Sequence, residues 1–90
     1  MPETPKPPVS AAAVAFGQRV RDRRTELGLS QEGLADAAGL HWTFVGQVER
    51  GRRNLSLHNI LKLAEGLECD AGQLVAGLTY SGGVAGGGSK

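Results

Sequence analysis

On a helical wheel Trp42, Thr43, Gln47 and Arg50 share one side of a short segment in mid-chain, with Gly46 among them. An indole, a hydroxyl, an amide and a guanidinium on one face can hydrogen-bond and make apolar contact with base edges in a DNA major groove. Gln47 offers a donor and an acceptor together to adenine, and Thr43 offers a methyl to thymine or a hydroxyl to an acceptor. Trp42 has three readings: stacking on a thymine methyl, packing along the sugar–phosphate wall, or a hydrophobic contact to another protein. Gly46 lies one turn after Trp42. Glycine costs a helix roughly 1 kcal/mol against alanine, and its expected return is a close approach of the backbone, or of the Trp42 ring, to the groove.

Base edges select sequence, while contacts to phosphate fix the pose. The candidates for phosphate are Gln31, Arg50, Arg52, Arg53 and Asn54. Gln31 stands where a helix begins, so its amide and the free backbone N–H groups can meet an anion. Arg52-Arg53-Asn54 is a basic loop that either grips phosphate or is simply solvated. His41 either reaches a phosphate or sits half-buried in a turn. Lys6 either touches phosphate or belongs to a solvated tail.

These residues need short helices to place them. Leu34, Ala35 and Ala38 recur at helical spacing over residues 31–38. Gly39 then stops the period, free to take the positive φ that ends a helix sharply. A following helix, from about Trp42 to Arg50 and ending at Gly51, turns His41, Phe44, Val45 and Val48 inward. Two short helices around a tight turn make a helix-turn-helix signature. Before them, Ser10 caps a helix from Ala11 to about Leu27, with Gly28 as terminator and Ala13, Phe16, Val20 and Leu27 inward. Ser30 caps the second helix, and Ser56 caps a fourth, from Leu57 to about Gly66. The expected inward stripe of that fourth helix is Leu57, Ile60, Leu61, Ala64 and Leu67. Asp70 followed by Gln73 reads as a capping-box variant for a short fifth helix holding Leu74, Val75 and Leu78.

The segment 31–50 resembles the lambda-repressor/Cro-like (XRE) helix-turn-helix family. The resemblance rests on Ala35, Gly39, Val45 and Val48 at the family's small, turn and inward positions. It extends to the run Leu27 to Gln31, to Glu49-Arg50-Gly51 and to Leu63-Ala64, covering residues 14–78. Within the family the chain is similar to stand-alone phage-type repressors and to restriction–modification controller proteins. The resemblance implies an all-α fold, a compact five-helix lambda-repressor-like bundle. It also implies base-reading side chains at Trp42, Thr43 and Gln47 and a backbone-binding glutamine at Gln31. It further implies a bidentate, partly buried ion pair between Arg24 and Glu49, which would fix the recognition helix against the first helix. Trp42 departs from the pattern, since many relatives carry a polar or basic residue there.

Ninety residues make a single domain with a marginal core, for which dimerisation would help. The dimer surface is expected at Leu74, Val75, Leu78 and Tyr80. Residues 1–9, with all four prolines, read as a disordered arm; residues 10–80 as the binding domain; residues 81–90 as a flexible glycine-rich tail. The formal net charge is +1, but residues 17–29 and 49–58 each carry a surplus of two basic groups, and residues 59–80 a deficit of two. Such a dipolar chain can present a basic surface to phosphate. A lone cysteine, Cys69, excludes an internal disulfide and reads as structural.

The residues suggest no metal site, no cofactor and no small-molecule ligand. They also lack the nucleophile–base sets, phosphate-cradling loop or paired carboxylates of an enzyme. No apolar run approaches the ~20 residues that span a bilayer, so the expectation is a cytoplasmic, nucleoid-associated regulator that binds double-stranded DNA as a homodimer. The rival expectation is an antitoxin-like or co-regulator module of the same fold whose main partner is protein.

Overall fold

The computed structural model describes residues 7–81 and the backbone of 83–84. It comprises α1 (Ala11–Glu26), α2 (Gln31–Ala38), α3 (Trp42–Glu49), α4 (Leu57–Gly66) and α5 (Ala71–Val75), followed by a two-stranded ribbon, β1 (Leu78–Thr79) and β2 (Gly83–Val84). The caps explain the boundaries. Ser10, Ser30 and Ser56 each accept from the backbone N–H three residues on, at 3.0, 2.9 and 3.2 Å, which satisfies a donor the helix itself cannot. At the turn between α2 and α3, Gly39 adopts φ 71°, ψ 37°. Its N–H meets the Asp36 carbonyl at 3.3 Å while the Leu40 N–H meets Ala35 at 2.9 Å. This paired closure requires a left-handed residue. The last turn of α4 closes in the same way, but on Glu68 at φ 54°.

The core joins Phe16 and Val20 of α1, Leu34, Ala35 and Ala38 of α2, Val45 and Val48 of α3, Leu63, Ala64 and Leu67 at α4, and Leu74 of α5. Two glycines set the helix crossings. A Cβ on Gly17 would press into the Val48 carbonyl oxygen and reach the Glu49 carbonyl oxygen at 2.9 Å, so α1 lies directly on the last turn of α3. A Cβ on Gly66 would stand 3.0 Å from the Ala38 Cβ, so α4 closes onto the end of α2. The helix-turn-helix is thus held at its central turn and at its C-terminal end by close approach of neighbouring helices.

Several expectations are corrected. On α4 the buried stripe is Leu63, Ala64 and Leu67 with Ile60 half-buried, whereas Leu57 is 68% exposed and Leu61 is also in solvent. The reason is the Gly66 crossing, which turns that side of the helix inward. Asp70 makes no side-chain cap, and α5 stops at Val75. Leu78 therefore belongs to β1, paired with Val84. The expected tail beyond Ser81 begins with that ribbon, which lies against α1. The expected arm is tied down at its end, where the Val9 N–H donates to the Gly51 carbonyl at 2.7 Å. Lys6 and residues 85–90 lie outside the described residues.

Candidate nucleic-acid interface

Helix α3 carries the candidate surface, and an ion pair at its C-terminal end anchors it. The Arg24 Nε donates to Glu49 Oε2 at 2.6 Å and Nη2 donates to Oε1 at 3.0 Å. The two side chains are only 15% and 4% exposed. The Arg24 Nη1 donates to the Leu29 carbonyl at 2.9 Å, and Gln31 Nε2 donates to Glu49 Oε1 at 3.1 Å. A two-pronged contact of this kind restricts direction as well as distance. Donating to the Glu49 carboxylate raises the Arg24 pKa above its high ordinary value, outweighing the lowering effect of burial. One carboxylate therefore joins the end of α1, the start of α2 and the end of α3.

Gln31 and Arg50 both reach over Gly46. A Cβ at 46 would lie 3.4 Å from Gln31 Oε1 and 3.5 Å from Arg50 Nη1. Gly46, placed on the outward face by the sequence, is buried under these two side chains. Alanine would fit there in ordinary contact. The amide of Gln31 is directed by its bond to Glu49 at the start of α2, a fitting place for a phosphate contact.

Farther along, Trp42 is 51% exposed and stacks on His41, centroids 6.1 Å apart and planes 23° from parallel. Thr43 is exposed and Gln47 half-buried. His41, expected inward, is exposed because it caps the helix: its Nδ1 accepts the Thr43 N–H at 3.2 Å and lies 2.6 Å from Thr43 Oγ1. Beyond α3, the Arg53 guanidinium lies 4.9 Å over the half-buried Phe44 ring, a cation–π contact. Arg50 and Asn54 are exposed and Arg52 half-buried. Among the described residues, Arg50 and Arg52 have no side-chain hydrogen bond or ion pair.

The arginines of α1 are placed differently from the expected basic surface. Arg19 Nη1 meets the carbonyls of Leu74 and Ala76 at 3.3 and 2.6 Å. Arg23 donates to the carbonyls of Leu67 and Glu68 at 2.9 and 3.1 Å and pairs with Glu26 at 3.2 Å. Both complete carbonyls that the ends of α5 and α4 leave without partners, where a cation is also favoured by the helix dipole. Sequence reading missed these roles, as it missed the Gly17 crossing. The one available signal for the latter was a glycine in mid-helix with no turn to explain it.

Leu74, expected on the dimer surface, is 2% exposed and part of the core, so its side chain cannot meet a second copy. Val75 and Tyr80 are exposed, and with Leu78 they line an open groove alongside Val9 and Ile60. Burial pushes the Cys69 thiol up, outweighing the nearby Arg23, which keeps it in the unreactive thiol form. Among the described residues no group of three or more His, Cys, Asp or Glu could hold a metal ion. No helix there is long and apolar enough to cross a membrane.

Known proteins share this arrangement. The helix-turn-helix family model matches residues 20–74. The control protein C.BamHI of Bacillus amyloliquefaciens is 47% identical over 53 residues, which are 58% of this chain and 65% of that relative. The control protein C.SmaI of Serratia marcescens is 41% identical over 60 residues, 67% of this chain and 71% of that relative. The crystal structure of the restriction-modification controller protein C.AhdI from Aeromonas hydrophila superposes with a TM-score of 0.70 at 56% identity, covering 71% of this chain and 97% of that one. With the family model spanning both helices of the motif and the α4 that packs on α2, the chain belongs to the helix-turn-helix family of DNA-binding transcription regulators.

Proposed function

We propose that the chain is a sequence-specific regulator that binds a near-palindromic operator as a homodimer, in the manner of a restriction–modification controller. The observation that carries this reading is the contrast around α3. The helix is locked from behind by the Arg24–Glu49 pair, while Trp42, Thr43 and Gln47 stand beside uncommitted Arg50 and Arg52. Trp42, Thr43 and Gln47 read bases. Gln31, Arg50, Arg52, Arg53 and Asn54 hold phosphates. The binding domain spans residues 10–80 and acts at the nucleoid.

Two recognition helices of a dimer would enter successive major grooves about 34–36 Å apart. Val75, Leu78 and Tyr80 are the apolar surface offered to the twin, with Tyr80 at 96% exposure. Regulation would follow from the protein's own concentration and the arrangement of its operator.

Selection from a randomised duplex pool tests the reading. The expected result is a near-palindromic motif, lost when Thr43 and Gln47 become alanine, with affinity falling steeply as salt rises. A half-exposed Trp42 also supports the rival, a module of this fold whose main partner is protein. Weak binding that enriches no motif would favour that rival.

A further inference from the structure

The contact between His41 and Thr43 has a chemical direction. Thr43 donates its backbone N–H to His41 Nδ1 at 3.2 Å, so Nδ1 carries a lone pair and no proton. The same Nδ1 lies 2.6 Å from Thr43 Oγ1, so in this tautomer the hydroxyl proton of Thr43 points at the imidazole and shares its lone pair with the Thr43 N–H. The opposite tautomer would set a ring N–H against the Thr43 N–H and leave that helix-start donor without its cap. With its one proton committed, the Thr43 hydroxyl faces outward with acceptor lone pairs only.

Resting on the DNA-reading function proposed above, we infer that His41 is a positioning residue that sets the sequence preference of Thr43. Held in this way, the hydroxyl accepts a hydrogen bond from a base but cannot donate one. In the major groove the exocyclic donors are the adenine N6 and cytosine N4 amino groups, whereas thymine O4 and guanine O6 and N7 are acceptors. The base facing the Thr43 oxygen is therefore adenine or cytosine, and guanine and thymine are rejected there because two acceptors would oppose each other. Trp42, stacked on the imidazole, limits the ring's freedom to turn away. A threonine alone would be indifferent, since a free hydroxyl turns to suit either kind of base.

The test is selection from a randomised duplex pool with the full chain, its His41→Ala and His41→Asn variants, and the same His41→Ala change in a Thr43→Val background. The base position read by residue 43 is the one whose preference shifts on Thr43→Val. There the parent should favour adenine or cytosine by roughly three- to tenfold, the worth of one hydrogen bond. His41→Ala should reduce that preference to less than about twofold, since one hydrogen bond is then free to reverse. His41→Asn should restore it, because an amide oxygen can cap the helix and accept the hydroxyl proton.

In the Thr43→Val background, His41→Ala should leave the preference alone although it removes the same cap. A loss of stability alone would appear in both backgrounds. An unchanged preference in His41→Ala, or an equal change in both backgrounds, overturns the inference while leaving a DNA motif in place. A parent that enriches no motif overturns the DNA reading and this inference together. Nitrogen-15 NMR of the imidazole in the free protein supplies a second readout: protonation at Nε2 is expected, and a proton on Nδ1 overturns the assignment whatever the DNA result.

Discussion

Residues 17–29 and residues 49–58 carry the same surplus of basic over acidic side chains, yet their arginines serve opposite purposes. In α1, Arg19 and Arg23 end on the carbonyls that close α5 and α4, and Arg24 ends on Glu49. Only Arg21 of that helix is left in solvent without a partner for its side chain among the described residues. After α3, Arg50 and Arg52 have no such partner, and Arg53 rests on the face of Phe44. The first group stabilises the fold by joining elements distant in sequence. The second leaves its guanidinium donors available to an anion. A count of charges cannot separate the two, because the potential met by a phosphate depends on which groups remain uncompensated.

The contrast can be broken in order of size. Glu49→Ala leaves Arg24 buried and unpaired, which should cost about 3–5 kcal/mol. At roughly 4–8 °C per kcal/mol for a domain of this size, a thermal melt should fall by a dozen degrees or more, and a midpoint within a degree of the parent would refute the anchoring role. Next come Arg19→Ala and Arg23→Ala, each expected to destabilise by about 1–2 kcal/mol through lost charged hydrogen bonds. Chemical denaturation measures that loss, and the salt dependence of DNA binding should stay as in the parent. Arg50→Ala and Arg52→Ala should do the reverse. Their stability should stay within about 0.5 kcal/mol of the parent, while the slope of log affinity against log salt drops by about one each. Arg21→Ala is the smallest case, with stability within about 0.5 kcal/mol of the parent and an unaltered salt slope. A lowered slope there would enlarge the basic surface to include α1.

Local physics made the helix ends legible. A serine that accepts a backbone N–H and a glycine that accepts positive φ act through a few neighbouring residues, so Ser10, Ser30, Ser56 and Gly39 mark α1, α2, α4 and the central turn. The pairing of Arg24 with Glu49 was readable through family resemblance, since nothing local in the chain brings residues 24 and 49 together. The crossings were not readable. Gly17 and Gly66 look like weak points in helices until the carbonyls of α3 and the Ala38 methyl are set against them.

The same gap misled the reading of α4. Leu57 and Leu61 form one apolar stripe, and Leu63, Ala64 and Leu67 another. Periodicity alone cannot choose between them; the position of α2 does. Gly46 was misplaced for a related reason, because what covers it is Gln31, from another helix.

The hydrogen bond from Val9 to the Gly51 carbonyl carries a practical consequence for anyone handling the molecule. It pins the entry to α1 against the turn that leads into Arg52 and Arg53, and Val9 lines the same groove as Arg53 and Asn54. An affinity tag or fluorescent reporter joined close ahead of Val9 would thus leave the body beside the Arg52-Arg53-Asn54 loop proposed to hold phosphate. Bulk placed there would compete with DNA for space, and acidic tags would compete for its arginines as well.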